Sequence, residues 1–106
     1  MGAYDNFEQA NINKGLQKYR NTRGAVLIDL RSPEEYRQGH VPDSKNIPLS
    51  QLDKITSLIK DKERQVFVYC HSGSQSRQAI SQLQHMGYTN VTNLGGIVSY
   101  RGKLER

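Results

Sequence analysis

Two stretches of the chain are almost continuously apolar, residues 25 to 30 (AVLIDL) and 65 to 70 (QVFVYC). Runs of this length bounded by polar segments predict strands covered on both faces, because a half-exposed strand alternates instead. A weaker run at 90 to 94 (NVTNL) and a short one at 45 to 49 (KNIPL) add two more, the latter ended by Pro48. A further edge strand is expected near Phe7 to Ala10. Helical patterns fill the intervals. Ser32, Pro33 and Glu35 supply an N-cap, a first-turn proline and a capping-box acid, so a short helix follows the first buried strand. Ser50 with Asp53 repeats the capping pattern before Leu52, Ile55, Leu58 and Ile59 at helical spacing. Ala79, Ile80, Leu83 and Met86 form a similar stripe, expected to begin near Ser76 and closed by Gly87. One more helix is expected over Asn13 to Tyr19, with Leu16 and Tyr19 inward.

Strands that alternate with helices and read as buried on both faces define an α/β class, a mainly parallel central sheet of about five strands with helices on both sides. At 106 residues the chain is expected to form one domain over 1–106, with a core from about 7 to 102 and loose ends at 1–6 and 103–106. The net charge of +5 favours anionic partners. The basic residues are nevertheless scattered, and the densest run, Lys60 to Arg64, is interrupted by Asp61 and Glu63. That arrangement, with no interleaved aromatics, argues against a nucleic-acid interface. The longest apolar run is too short to span a bilayer, and the first residues lack a signal-peptide pattern, so no membrane association and a cytoplasmic location are expected.

The chain has one cysteine, Cys70, so no internal disulfide is available and a reducing compartment suits it. In open parallel sheets the ligand crevice lies beyond the carboxyl ends of the strands, which is where Cys70 falls. The segment after it, HSGSQSR, is polar and contains Gly73, which can take the positive φ of a curled loop. A loop closing into a helix there directs backbone N–H groups inward, an anion cradle that favours a thiolate. The alternative is a small buried hydrophobe that ends a strand, but that role does not call for a glycine- and serine-rich sequel.

The block VLIDLRSPEEYRQGHVPDSKNIPL, followed by VFVYCHSGSQSRQAISQLQHMGYTNVTNLGGIVSY, resembles the single-domain rhodaneses, the sulfurtransferase family, in both long signatures and in their order. The resemblance implies that Cys70 accepts a sulfane sulfur from thiosulfate or a persulfide donor. It then holds the sulfur as a persulfide and passes it to a thiol or cyanide. The implied substrate-binding residues are His71, Ser72, Gly73, Ser74, Gln75, Ser76 and Arg77, with no metal or organic cofactor. Many family members have arginine at the fifth residue after the cysteine, where this chain has Gln75 and places its arginine at Arg77. Tyr100 stands where the family commonly has tryptophan, a packing exchange that keeps a polar tip.

Two other functions share part of the same pattern. A sulfur carrier or docking module would hold sulfur on Cys70 for a protein partner. Phosphatases or arsenate reductases of related architecture need an arginine six residues after the cysteine, but that position is Ser76. Asp29, Arg31 and His40 are read as structural supports, Asp29 through its tendency to order nearby amides. His71 is expected to face outward rather than to activate its neighbour. Cys70 with His40, His71 and His85 lacks metal-ligand spacing, so no metal is expected.

Overall fold

The computed structural model describes residues 11–106. Chain order is α1 (Ile12–Arg20), β1 (Val26–Asp29), α2 (Pro33–Gln38), β2 (Lys45–Asn46), α3 (Ile55–Leu58), β3 (Val66–Cys70), α4 (Ser74–His85) and β4 (Val91–Gly96). Turns of 3-10 helix occupy Leu49–Lys54 and Ile97–Ser99. Among the described residues the sheet has four strands in the order β2-β1-β3-β4, all parallel. About five strands were expected. The fifth, near Phe7 to Ala10, lies outside the described residues.

Strand alternation sorts the core into two layers. Val66, Val68 and Cys70 of β3 pack with Val26 and Ile28 of β1 on one face, whereas Phe67 and Tyr69 pack with Leu27 on the other. Leu52, Ile55, Ala79 and Leu83 cover the first face, and Ile12 and Leu16 of α1 cover the second. Each fully buried aliphatic side chain contributes about 1.5–3 kcal/mol of transfer free energy. The apolar runs therefore become central strands because both faces have a helix to meet.

Helix ends follow the local sequence closely in two places. Ser32 caps α2 in a complete capping box with Glu35, and Pro33 occupies the first turn. The end of α4 is a paired turn in which Gly87 N donates to Gln84 O and Tyr88 N donates to Leu83 O. Gly87 takes φ +99°, and Tyr88 joins Leu83 in the core, which is the hydrophobic contact this ending favours.

Three expectations need correction. Ser50 caps nothing: the chain enters a 3-10 turn from Pro48 without a side-chain cap, kinks at Gln51, and only then becomes α3. The tighter 3-10 turn shifts the inward face, so Leu58 is 44 % exposed while Ile59, beyond the helix, is buried. Helix α4 starts at Ser74 rather than near Ser76, because Gly73 is itself the cap residue, in the left-handed region at φ +113°. Residues 103–106, expected to be loose, include a tether: Glu105 pairs with His40 through two backbone hydrogen bonds of 2.8 and 2.9 Å.

Candidate active site

Cys70 ends β3 on the face covered by α4, and it is 1 % exposed. Its Sγ accepts hydrogen bonds from Gly73 N at 3.0 Å and Ser76 N at 3.3 Å. The intervening loop curls tightly enough for this because Gly73 adopts a positive φ, and Ser76 Oγ donates to Gly73 O at 2.8 Å, locking the curl. Two N–H dipoles and the start of a 12-residue helix thus converge on one sulfur. This is an arrangement that stabilises negative charge.

The loop residues divide by direction. Ser76 is buried, while His71, Ser72, Ser74, Gln75 and Arg77 are exposed. The His71 carbonyl accepts from Val98 N at 3.2 Å, which ties the loop to the turn after β4. Ser72, Gly73, Ser74 and Arg77 face Asn93 and Gly95 across a small polar pocket of about 320 Å³. Gln75 lies on the opposite flank, where it lines a second depression with Leu30, Pro48, Leu49 and Gln82.

Asp29, Arg31 and His40 fall outside these contacts. Asp29 is fully buried at the end of β1, paired with Arg31 at 2.7 Å, and its Oδ1 accepts from Arg31 N at 2.8 Å. The Arg31 guanidinium also donates to Gly39 O at 2.6 Å. His40 Nδ1 lies 2.8 Å from Tyr36 O, and its ring stacks on Tyr36 at 3.7 Å between centroids. All three brace the segment between β1 and β2.

Tyr69 completes that brace and was not singled out by any motif. Its hydroxyl donates to Asp29 Oδ2 at 2.7 Å and accepts from Val41 N at 3.0 Å. Burial, with the Asp29 carboxylate beside it, pushes the phenol far above its ordinary range, so it serves as a neutral donor. The available signal was a tyrosine within a buried strand, whose hydroxyl must find a partner. Asn46 belongs to the same brace, its side-chain amide bridging the carbonyls of Asp29 and Arg31 at 3.0 and 2.9 Å. Tyr100 packs against the α1-side core, and its hydroxyl donates to Lys103 O at 2.9 Å. No group of three or more His, Cys, Asp or Glu side chains among the described residues could hold a metal ion.

A thiol at the carboxyl end of a central parallel strand, enclosed by a loop that becomes a helix N-terminus, defines an α/β protein with an anion-stabilising cysteine loop. The rhodanese-like domain profile matches residues 12–103, and the chain belongs to that family. It is 48% identical over 71 residues to the thiosulfate sulfurtransferase PspE of Escherichia coli strain K12, covering 66% of this chain and 68% of that protein. A sulfurtransferase of Allochromatium vinosum is 39% identical over 85 residues, covering 79% and 78% of the two chains. Among solved structures, a rhodanese with anions from E. coli superposes with a TM-score of 0.72 at 41% identity, covering 77% of this chain and 98% of that one. The family and these relatives support a sulfurtransferase. No helix among the described residues is long and apolar enough to cross a membrane.

Proposed function

We propose that the protein transfers a sulfane sulfur from thiosulfate or another persulfide donor to a thiol or cyanide, by way of a persulfide on Cys70. The observation that carries this reading is the pair of amides on Sγ at 3.0 and 3.3 Å, at the start of α4. In the first half-reaction the Cys70 thiolate attacks the outer sulfur of thiosulfate, the S–S bond of the donor breaks, and sulfite leaves with the bonding pair. The loop amides oppose the negative charge that passes onto the new terminal sulfur, which is the role of preorganised donors in such displacements. In the second half-reaction a thiolate or cyanide attacks that terminal sulfur, and Cys70 leaves as thiolate. Each step conserves charge, and neither calls for a metal or redox cofactor.

Arg77 is assigned to the donor. It lines the polar pocket beside Gly73, and a guanidinium there favours a small oxyanion. His71 is assigned no proton-transfer role, since it is exposed while the sulfur beside it is buried.

The test is intact-mass spectrometry of reduced protein after incubation with thiosulfate, followed by cyanide. A gain of one sulfur that cyanide removes, and that is absent from Cys70→Ser, is the expected result. The substitution removes the nucleophile with almost no change of volume, so the variant should unfold at nearly the same temperature. Loading by polysulfide or a protein persulfide but not by thiosulfate would favour a carrier role. No loading by any of these donors would sink the sulfur-transfer reading.

A further inference from the structure

The first turn of α1 reaches the turn that supports the sulfur loop. Asn13 and Ser99 are 86 residues apart in the chain, yet Asn13 Nδ2 donates to Ser99 O at 2.9 Å. Its Oδ1 accepts from Arg101 N at 3.0 Å, and Nδ2 also reaches Asn11 Oδ1 at 3.3 Å. Two acceptors thus face Nδ2 and one donor faces Oδ1, a set that a carboxamide matches and a carboxylate does not.

The turn that Asn13 clamps, Ile97–Ser99, is the one that holds the loop. Val98 N donates to His71 O at 3.2 Å. The Val98 side chain is 61 % exposed, so it does not fix this amide. The turn is held at its ends instead. Ile97 and Tyr100 pack against the α1-side core, Tyr100 N donates to Ile97 O at 2.9 Å, and Asn13 takes Ser99 and Arg101. Behind Asn13 the helix is a firm base: Ile12 and Leu16 are buried, and a methyl group on Gly15 would collide with Leu94 of β4.

We infer that Asn13 is a positioning residue for the sulfur loop, acting through the turn after β4 on the His71 carbonyl and so on the amides that bind Cys70 Sγ. His71 is the first residue of the loop, and a shift of its carbonyl is carried into the curl that brings Gly73 N and Ser76 N to the sulfur. The kinetic consequence rests on the sulfur-transfer reading above, whereas the coupling between turn and loop rests on the hydrogen bonds alone.

Asn13→Asp separates positioning from folding. The residue is the second of α1, whose first turn has no acid, so a carboxylate there favours the helix. It has no hydrogen to give Ser99 O, and the clamp is lost. Asn13→Ala removes the amide altogether and leaves a strong helix former, so it serves equally if the charged variant folds poorly.

The experiment compares ¹⁵N-labelled wild type and both variants by amide spectra, and measures the limiting rate of Cys70 loading at saturating thiosulfate. Saturation isolates the chemical step from donor affinity, which Ser99 also affects as part of the polar pocket. In both variants the Gly73 and Ser76 amides should shift while the melt stays cooperative. The limiting rate should fall about tenfold, part of the roughly 100-fold that a one-ångström misplacement costs. Shifts confined to residues 11–20 and 97–101 would mean that Asn13 serves only its own helix and turn, and would overturn the inference. So would variants that load as fast as a wild type that does take up sulfur. A wild type that takes sulfur from no donor sinks the transfer reading instead, and the Gly73 and Ser76 shifts then decide the coupling by themselves.

Discussion

At Gly96 an added methyl group would stand 2.5 Å from the His71 carbonyl oxygen and 2.7 Å from Ser72 Cα. Both are backbone atoms of the sulfur loop, so no side chain can swing aside to make room. The strand reaches this position through an irregularity: Val68 pairs with Asn93 but Cys70 pairs with Gly96, so β4 holds one extra residue, with Gly95 at φ +87°. Gly96→Ala is therefore expected to displace the loop amides from Sγ. Overpacking of this kind costs about 1–3 kcal/mol, and misplacing catalytic groups by an ångström costs about 100-fold in rate. Sulfur loading from thiosulfate should fall at least tenfold while the circular dichroism spectrum stays native. An unchanged loading rate would show that the loop does not depend on this contact.

Among the elements, α2 allows the cleanest electrostatic experiment. The Ser32 backbone amide, donating to the Glu35 carboxylate at 3.1 Å, holds that carboxyl below its ordinary value of 4.5. A carboxyl whose value is lower in the folded state adds stability that is fully present above the unfolded value and is lost as pH falls through the folded one. Glutamine can still accept the capping bond but does not titrate. The stability gap between wild type and Glu35→Gln should thus be largest above pH 4.5 and should close as acid is added, as measured by urea unfolding at a series of pH values. A gap that is constant with pH would assign the effect to packing. The same element shows what local sequence can reveal. Ser32, Pro33 and Glu35 act within a single turn, so their pattern foretells the helix, as Cys70 and Gly73 foretell the curl of the sulfur loop. The brace from Tyr69 to Asp29 and the close approach of Gly96 to His71 and Ser72 join segments far apart in the chain. Their partners are chosen by packing, which no local spacing encodes.

At the scale of the whole molecule, the charge of +5 acts on every anionic encounter. The rate of Cys70 loading by thiosulfate, a dianion, should decline as salt rises from about 0.01 to 0.15 M, where the screening distance shortens from about 30 to 8 Å. A neutral electrophile such as iodoacetamide, reacting at the same thiol, should show little change. If both rates fall together, salt is altering the loop rather than screening the approach.

The two-layer core has a further consequence. Tyr69 and Cys70 are consecutive, yet one belongs to the brace and the other to the sulfur loop, because β3 turns each successive side chain to the opposite face. Inserting or deleting one residue inside Val66–Cys70 would exchange their stations, sending the thiol into the brace and the phenol beneath the loop. The polar stretch just upstream, 60–65, is exposed, and it is held through its backbone instead, the carbonyls of Lys62 and Gln65 accepting from Thr89 N at 3.0 Å and Val26 N at 2.9 Å. Within the strand, then, the chain must keep time in steps of two.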